Sequence, residues 1–499
     1  MKLADKILDI AKRRGFFWPS FEIYQGCSGF YTYGPLGTLL KLHVESILRN
    51  YYINREGCMI IEAPTLTIED PWVASGHVGS FTDMTTECEK CGEPYRADHL
   101  LEGKTDTEGM SMKQVEDAIK KHSIKCPRCG GPLGKVYDYN LMFRTYIGPG
   151  KNKVSGAMRP ETAQTTYMPF RRLSEIGRKR FPMGVMQIGK SFRNEISPRQ
   201  GLVRLREFTQ AEVQFFLHPK QKDQHPRFDE VSGLEITTWT KHHQVRNQKP
   251  EKMKIGDLVK KKLTYRMIAY YLARSVELFG KMGIDTSKLR LRQHRDDERS
   301  FYSSDTWDVE FLSDAFGKIE LVGIADRTDY DLKRHMELSK KDFTVNVDGE
   351  KFVPHVIEVA YGIDRPVLCS IESCLRESGD RTYFTFPPAV APYHVAVFPL
   401  VRKDGLPEKA RLVYQALIEE GFFALYDESG SIGRLYYRQD EAGTPAAITV
   451  DYDTLKDDTV TLRDRDSQKQ IRVKMTELLP VMKRFLSGEK LEALGKPLK

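Results

Sequence analysis

The sequence lacks long apolar runs and has little cysteine or tryptophan. No apolar stretch approaches the ~18 residues of a membrane-spanning helix, so no association with a membrane is expected. The charged amino-terminal stretch has no apolar segment of the secretory type, which argues against export. Eight cysteines in 499 residues are too sparse for a disulfide-stapled secreted scaffold, and they favour a reducing, cytoplasmic location.

The composition provides enough apolar residues for several hydrophobic cores. Hydrophobic residues make up 40% and aromatic residues 10% of the chain, which excludes disorder as its main state. The length predicts two to four domains, because single domains usually hold ~100–200 residues. The net charge of +8 (77 basic minus 69 acidic residues) is a mild bias toward polyanions such as nucleic acids or nucleotides.

Helical and strand patterns alternate along the chain. Residues 38–53 form an amphipathic pattern with Thr38 as the expected N-cap, and 58–66 is a β-type run that ends near Pro64. After the proline-rich stretch 386–392, short apolar strands alternate with helical segments. This last pattern predicts a carboxy-terminal α/β domain.

Four of the cysteines form two Cys-x-x-Cys pairs separated by 34 residues. Each pair is followed by a glycine-containing turn, and four thiolates at this spacing suit a structural, tetrahedral zinc ion. The alternative is four reduced cysteines without a metal. The predicted ligands are Cys88, Cys91, Cys126 and Cys129.

An arginine-rich hairpin is predicted over residues 192–212. Two strand patterns flank the turn sequence Ile-Ser-Pro-Arg-Gln-Gly, and four arginines lie on or near this hairpin. Because the planar guanidinium binds phosphate through two hydrogen bonds, the cluster indicates an anion site, with Phe208 available to stack on a base. A solvated hairpin is the alternative. The arginines are Arg193, Arg199, Arg204 and Arg206.

Two further strand patterns, 318–331 and 356–367, each combine a glutamate with a downstream arginine. Glu320 precedes Arg327 in the first, and Glu358 precedes Arg365 in the second. Carboxylates beside arginines suit Mg²⁺ and a triphosphate, although either pair alone could be an ordinary ion pair.

Together these motifs resemble motifs 1, 2 and 3 of the class II aminoacyl-tRNA synthetases. The stretches GFFWPSFEIY, YRADHL, RPETAQ, FRNEISPRQGLVRLREFTQAE, IELVGIADRTDYDL and SGSIGRLYYRQDEAGTP are similar to the dimeric glycyl-tRNA synthetases of archaea, eukaryotes and some bacteria. The resemblance covers nearly the whole chain. It implies activation of glycine with ATP to glycyl-adenylate, transfer to the 3′ end of tRNA(Gly), release of AMP and pyrophosphate, and a homodimer.

The resemblance also implies an α+β fold. An antiparallel β-sheet catalytic core with helices would carry inserted zinc-knuckle and helical subdomains, and a C-terminal α/β domain would bind the anticodon. The expected divisions are 1–81 (core with motif 1), 82–153 (zinc knuckle), 154–217 (core with motif 2), 218–300 (basic, helical insertion), 301–386 (core with motif 3) and 390–499 (anticodon-binding domain).

The family's functional residues map onto matching positions of this sequence. Arg193 and Arg365 would be catalytic, and Arg327 would face the carboxylate of glycine. The implied ATP-binding residues, with Mg²⁺ near Glu320, are Arg193, Asn194, Glu195, Arg204, Leu205, Arg206, Phe208, Glu320, Leu321, Gly362 and Arg365. The implied glycine-binding residues are Arg96, Glu161, Glu212, Glu358 and Ala360.

One position departs from the family pattern. Motif 3 often opens with Glu-Pro-Ser, and this chain has Glu358-Val359-Ala360, so the serine that crowds the glycine α-carbon is missing. A synthetase-like accessory subunit of a mitochondrial polymerase is one alternative, but such paralogues lose the arginines that this chain keeps. A sibling enzyme for threonine, proline, serine or histidine is disfavoured by RPETAQ and the three glutamates.

Overall fold

The computed structural model describes residues 2–107, 109–198, 201–299 and 302–498. Arg199, one of the four hairpin arginines, lies outside these ranges. Within them, no helix combines the length and the hydropathy needed to cross a bilayer.

The amino-terminal part begins the catalytic body. Its elements are α1 (Leu3–Arg14), β1 (Phe17–Pro19), β2 (Tyr31–Tyr33), α2 (Pro35–Arg49), β3 (Met59–Ile61), β4 (Leu66–Ile68), α3 (Asp70–Ala74) and α4 (His77–Ser80). The predicted helix at 38–53 starts earlier, because Pro35 occupies the first turn and Gly34 is the extended N-cap. A π-helical turn, Asn50–Arg55, follows the helix.

Residues from 82 onward form a small subdomain and then return to the main body. The elements are β5 (Thr82–Glu87), β6 (Pro94–Arg96), α5 (Ala97–Leu100), α6 (Met112–Lys121), β7 (Tyr137–Asn140), β8 (Arg144–Ile147), β9 (Val154–Met158), α7 (Ala163–Tyr167), α8 (Phe170–Ile176), β10 (Met183–Phe192) and β11 (Glu207–Leu217). The subdomain has its own three-stranded sheet, β6-β5-β7, and a small core that includes Ala97, Val115 and Ile119.

The following elements complete the catalytic body. They are β12 (Glu235–Trp239), α9 (Lys241–Val245), β13 (Glu251–Lys254), α10 (Ile255–Lys260), α11 (Arg266–Lys281), β14 (Leu289–Gln293), β15 (Asp305–Ser313), β16 (Gly317–Thr328), α12 (Tyr330–Ser339), β17 (Val345–Val347), β18 (Glu350–Phe352), β19 (His355–Gly362), α13 (Asp364–Cys374), β20 (Leu375–Ser378) and β21 (Arg381–Phe384).

A nine-stranded sheet organises this body, in the order β13-β12-β14-β15-β16-β19-β11-β10-β3. The predicted hairpin is present: β10 and β11 pair antiparallel from Met183 opposite Phe216 to Phe192 opposite Glu207. Most neighbours are antiparallel, but β3 with β10 and β12 with β14 are parallel. The antiparallel sheet core agrees with the predicted fold class.

The segment 218–300 differs from the expected inserted helical subdomain, because its strands β12, β13 and β14 extend the central sheet. Its helix α11 is buried along nearly its whole length and packs into the main hydrophobic core. A helix with apolar residues on nearly every side must be covered, and the sheet supplies that cover.

The carboxy-terminal domain is a second α/β unit, with β22 (Val395–Pro399), α14 (Leu406–Glu419), β23 (Ala424–Tyr426), α15 (Ile432–Ala442), β24 (Ala446–Val450), α16 (Thr454–Asp457), β25 (Thr459–Asp464), β26 (Gln470–Lys474), α17 (Leu478–Leu486) and β27 (Lys496–Pro497). Its sheet order is β23-β22-β24-β25-β26-β27. The first three strands are mutually parallel, and the other pairs are antiparallel.

Buried ion pairs connect this domain to the catalytic body at the end of α15. Glu441 is almost fully buried and pairs with Arg13 and Arg14 of α1. The neighbouring Asp440 pairs with Arg381 of β21 at 2.9 Å and with Arg463 of its own domain at 2.9 Å. Two consecutive acids thus hold elements of both domains together.

Candidate active site

A cavity of about 260 Å³ lies over the central strands β11, β15, β16 and β19. Side chains of these strands alternate between the cavity and the helix-covered core, as period-2 geometry requires. On β19, Glu358 and Ala360 line the cavity, whereas Val359 and Tyr361 are buried in the core. The sheet therefore supplies the floor of the cavity.

One end of the cavity is rich in arginine. Arg193, just after β10, lies over the rings of Phe208 and Phe81 at 5.3 and 5.4 Å, and its Nε donates to the carbonyl of Pro160 at 3.2 Å. Arg204 lies 3.7 Å from Glu195, close enough for an ion pair. Burial and the neighbouring charges leave the pKa of Arg204 below its ordinary value. This end suits an anionic ligand with an aromatic base.

Arg365 enters the same end from the first turn of α13. Its Nε donates to Val203 O at 3.1 Å, and its Nη1 donates to Glu320 O at 2.9 Å and approaches Glu320 Oε2 at 3.4 Å. These contacts, which are mainly with backbone carbonyls, fix the guanidinium of Arg365 beside the cavity. Its positive charge therefore remains available to an anionic ligand. Gly362 also lines the cavity.

Two carboxylates converge on this end over Gly323. A Cβ built on Gly323 would lie 3.5 Å from Glu320 Oε1 and 3.7 Å from Asp308 Oδ1. Burial, followed by the charge of Glu320, raises the pKa of Asp308 to about 6. Two carboxylates that converge in this way are suited to a divalent cation. His294 contacts Asp308 at 2.7 Å.

The other end of the cavity holds three buried glutamates, Glu161, Glu212 and Glu358. Glu358 accepts from Gln214 at 3.0 Å, and Glu161 accepts from Gln164 at 2.9 Å. In the described part of the chain, Glu212 Oε2 has no hydrogen-bond partner. The three carboxylates partly surround a position that a small cation could fill.

Arg327 partly neutralises the cluster, but its position differs from the one that the resemblance implies. Its guanidinium is buried, binds Asp331 at 2.8 Å and Glu358 at 3.1 Å, and lies 3.6 Å from Glu161. It is absent from the cavity lining. All of its charge is engaged by acids, so it supports the glutamates and does not face a ligand carboxylate.

The three glutamates have different protonation tendencies. Burial, followed by the charges of Glu358 and Glu161, raises the pKa of Glu212 to about 8. Burial likewise raises the pKa of Glu358, despite the opposing charge of Arg327. Burial also disfavours ionised Glu161, but His77 and Arg327 hold its pKa below the ordinary value. The cluster therefore carries a proton that a bound cation would displace.

Most residues expected at the site line this cavity. They are Arg193, Glu195, Arg204, Leu205, Phe208, Glu320, Gly362 and Arg365 at the arginine-rich end, and Glu161, Glu212, Glu358 and Ala360 around the glutamates.

Besides Arg327, four expected site residues do not line the cavity. Asn194 donates to Tyr139 Oη at 2.6 Å, and Arg206 donates to Glu195 O and Ser28 O, both at 2.8 Å. Leu321 is in the hydrophobic core because it alternates with Glu320 along β16.

Arg96 is the fourth. It pairs with Asp83 at 3.0 Å and with Asp98 at 2.6 Å inside the cysteine-containing subdomain. Its local acidic neighbours hold it there, so it does not reach the glutamate cluster directly.

Several lining residues were missed from the sequence: Gln210, His294, Thr306, Asp308, Gly323 and Ala325. Alternation along β11 could have identified Gln210, which lies two residues from both Phe208 and Glu212. On β16, an irregularity in the pairing with β15 shifts the alternation, so Gly323 and Ala325, three and five residues after Glu320, could not be found in this way.

The four predicted cysteines come together in the small subdomain, with their sulfur atoms within 4.8 Å of one another. The Sγ atoms of Cys88 and Cys129 are 3.5 Å apart, and those of Cys91 and Cys126 are 3.7 Å apart. A tetrahedron with zinc–sulfur bonds of about 2.3 Å has sulfur–sulfur edges of about 3.8 Å. The geometry therefore fits a zinc ion, and all four positions would be filled by protein ligands.

Two domain families match the sequence. The tRNA synthetase class II core domain (G, H, P, S and T) matches residues 146–374, and the anticodon binding domain matches residues 394–485. The two matches coincide with the sheet that carries the cavity and with the carboxy-terminal domain.

Curated relatives align along nearly the whole chain. The glycine–tRNA ligase of Methanocaldococcus jannaschii is 43% identical, covering 97% of this chain and 99% of the relative. The glycine–tRNA ligase of Methanothrix thermoacetophila is 41% identical and covers 97% of both. That of Thermococcus sibiricus is 41% identical, with 97% of this chain and 99% of the relative covered.

A solved structure shares the fold. The crystal structure described as the RNA binding domain of threonyl-tRNA synthetase from Cryptosporidium parvum Iowa II aligns with a TM-score of 0.60 at 15% identity, covering 99% of both chains. At this identity the likeness concerns architecture alone.

Proposed function

Because the chain belongs to the glycine–tRNA ligases of the class II aminoacyl-tRNA synthetases, we propose that its cavity activates glycine with ATP and then transfers it to the 3′ end of tRNA(Gly). AMP and pyrophosphate are the other products. The cluster of Glu161, Glu212 and Glu358 at one end of the cavity is the observation that supports glycine as the amino acid. Arg327 pairs with Glu161 and Glu358 and forms no ion pair with Glu212, so a small cationic group would complete the neutralisation of the three buried carboxylates.

The glutamate cluster would hold the ammonium group of glycine. Within this cluster, Glu212 Oε2 has no hydrogen-bond partner among the described residues, so it has capacity for a new donor. Arg327 keeps the cluster from carrying its full negative charge and orients Glu358 through a two-oxygen contact. Glycine has no side chain to recognise, so selection depends on its ammonium and on the lack of space around its α-carbon.

The arginine-rich end would bind ATP. Arg193 would hold the α-phosphate and the carboxylate of glycine, Phe208 would stack on adenine, and Arg365 would hold the γ-phosphate. The attacking carboxylate is already ionised, so no general base is required. Catalysis then consists of positioning the two reactants and stabilising the negative charge that develops on phosphorus.

The converging carboxylates of Glu320 and Asp308 would hold Mg²⁺. Their mutual repulsion in the absence of a cation and their shared approach to Gly323 support this assignment. Mg²⁺ would supply charge neutralisation for the phosphates, as it does in other phosphoryl-transfer sites.

The cysteine cluster would hold zinc in a structural role. Four cysteine ligands leave no open position for a substrate, and the surrounding core is too small to stabilise the subdomain without help. The subdomain also contacts the motif 2 hairpin, since Ser197 Oγ donates to Pro94 O at 3.1 Å.

A second copy of the chain would cover an exposed apolar surface near the edge strand β3, giving a homodimer. A groove lined by Ile61, Pro64, Leu66, Ile68 and Met168 lies there. Leu66 and Ile68 are 40% and 47% exposed, and exposed apolar residues clustered in this way indicate a protein interface. Light scattering at micromolar concentration would measure the oligomeric state, and a monomer would contradict the proposal.

The carboxy-terminal domain would read the anticodon of the tRNA, since residues 394–485 match the anticodon binding domain. Its deletion should weaken tRNA charging far more than pyrophosphate exchange, and equal losses would contradict this role. None of the eight cysteines, all of which lie in the described ranges, forms a disulfide; this supports a reducing compartment, and we assign the protein to the cytoplasm.

Amino-acid-dependent ATP–pyrophosphate exchange tests the assignment directly. With each of the twenty amino acids supplied in turn, glycine should give the dominant signal. Exchange that is stronger with another amino acid, or that fails with all of them, would refute the proposed reaction.

A further inference from the structure

A strip of exposed lysines runs from the loop before β13, along β13, to the end of α10. It consists of Lys249, Lys252, Lys254, Lys260, Lys261 and Lys262, and is named here the lysine strip. In the described part of the chain, none of the six forms an ion pair. By contrast, Lys241, which precedes the strip, pairs with Asp296 at 3.0 Å. The acids of these segments are Glu251, Asp257 and Glu235, which lies opposite Lys254, so the six lysines leave the strip with a net positive charge.

The strip lies on the catalytic body, at the outer edge of the central sheet. In the sheet order, β13 is three strand spacings from β15, or about 14 Å. The helix α9, which precedes the strip, is anchored next to the cavity: Gln244 Nε2 donates to Gln293 O at 2.5 Å. The adjacent residue, His294, lines the cavity.

Protection of the sheet edge explains only part of this strip. Lysines on an outer strand discourage pairing with another sheet, and Lys252 and Lys254 fit that role. Lys260, Lys261 and Lys262 lie beyond the strand, at the end of α10, where there is no sheet edge to protect. Their concentration beside the strand lysines raises mutual repulsion, which a polyanion would relieve.

We propose that the lysine strip binds the phosphate backbone of the tRNA acceptor stem. This inference rests on the proposed function, because the 3′ end of the RNA must reach the cavity and the stem must then lie along the catalytic body. Phosphate contacts by flexible lysines provide affinity and orientation without reading sequence.

The test uses the full-length enzyme carrying Lys252→Glu/Lys254→Glu, which keeps the strand edge charged and reverses only its sign. We expect the KM for tRNA to rise at least about fivefold at low salt, while glycine-dependent ATP–pyrophosphate exchange, which needs no tRNA, stays at the wild-type level. In binding measurements, Lys252→Gln/Lys254→Gln should lower the slope of log affinity against log salt by about two.

Two matched variants control for charge, and a third controls for folding. Lys252→Arg/Lys254→Arg should retain the wild-type KM for tRNA, and Glu251→Gln, which removes an acid beside the strip, should lower it. Lys260→Glu/Lys262→Glu repeats the test outside the strand. It therefore tests the proposal even if Lys252→Glu/Lys254→Glu fails to fold.

Fluorescence anisotropy with an acceptor-stem minihelix locates the contact on the RNA. Weakened binding of both the minihelix and the intact tRNA supports the proposal. Weakened binding of the intact tRNA alone, or a wild-type KM in both charge-reversal variants, overturns it. Lack of glycine-dependent exchange in the wild-type enzyme would instead refute the proposed function, independently of the RNA measurements.

Discussion

Lys41 Nζ lies 3.0 Å from Asp364 Oδ1, so a buried ion pair joins α2 to the first turn of α13. The other carboxylate oxygen of Asp364 accepts from Thr209 N at 2.6 Å, next to Phe208 on β11. Although burial opposes ionisation, the charge of Lys41 and the Thr209 amide hold the pKa of Asp364 below its ordinary value. One carboxylate thus links three elements that surround the arginine-rich end of the cavity.

We predict that Lys41→Met lowers the free energy of unfolding by about 3–5 kcal/mol, because it leaves a buried carboxylate without its cation. The KM for ATP should rise, since α13 carries Arg365. Urea unfolding and exchange kinetics measure the two effects. Lys41→Arg keeps the charge and should lose much less, and equal behaviour of both variants would contradict the role of the ion pair.

Arg193→Ala should abolish adenylate formation and leave the fold intact. The side chain is only partly buried, and its Nε donates to a single backbone carbonyl, so little stability depends on it. Its charge would act on the phosphate during the reaction. Pyrophosphate exchange near the wild-type rate in this variant would refute the assignment, and an unchanged melting temperature is the required control.

The KM for glycine should fall as the pH rises from 6 toward 8. Without ligand, Glu212 has a pKa of about 8 and is mostly protonated at neutral pH. An ammonium ion requires the carboxylate, so binding below that pKa costs deprotonation, roughly tenfold per pH unit. Glu161, Glu358 and Arg327 are charged groups that act on Glu212, and buried Arg159 also interacts with it electrostatically.

Glu212→Gln should flatten this pH dependence and weaken glycine binding at every pH. His77→Gln is the matched control, because His77 lies 3.5 Å from Glu161 at the edge of the same cluster. If the pH dependence survived in Glu212→Gln and disappeared in His77→Gln, the titrating group would not be Glu212, and the prediction would be wrong.

Ala360→Gly should admit alanine. Ala360 lies opposite Glu212 on β11 and opposite Gly323 on β16, so its methyl group is central in the cavity floor. Removing one methyl group from such a site changes discrimination by about 10–200-fold. Alanine-dependent exchange relative to glycine-dependent exchange measures it, with Ala360→Ser as the control that should keep alanine out. Unchanged selectivity in Ala360→Gly would mean that another residue forms the wall.

Zinc removal should raise the KM for ATP more than the KM for glycine. The subdomain holds the motif 2 hairpin through Asn194, which donates to Tyr139 Oη at 2.6 Å, and through Ser197. Arg96, by contrast, does not line the cavity. Cys91→Ser or mild chelation, followed by exchange kinetics at varied ATP and glycine, tests this. A selective effect on glycine would restore a direct role for Arg96.

Local patterns accounted for the parts of the fold that the sequence predicts well. The β10–β11 hairpin follows from two long strand patterns around one turn, and the cysteine cluster follows from short-range spacing. The three glutamates came from resemblance to a family, since nothing local distinguishes Glu212 from other strand carboxylates. Their convergence depends on the pairing of β11 with β19.

The features of the site that were not predicted from the sequence depend on which ion-pair or strand partners a residue meets in the folded chain. Arg327 lies near acids on three different elements, and their combined pull decides its orientation. Arg96 is held by Asp83 and Asp98, which are 13 and 2 residues away in sequence, whereas the nearest glutamate of the cluster that it was expected to reach, Glu161, is 65 residues away. The short polar strand β13 joins the sheet because a neighbour is available, with little pattern of its own.

The buried ion pairs at the end of α15 have a mechanical consequence. Glu441 and Asp440 are buried among Arg13, Arg14 and Arg381, so the two domains share one charged joint that is costly to open. These ion pairs restrain the distance between the cavity and the surface of the carboxy-terminal domain. If that surface binds the anticodon, as proposed, a tRNA would have to match this distance for its two ends to be bound at the same time.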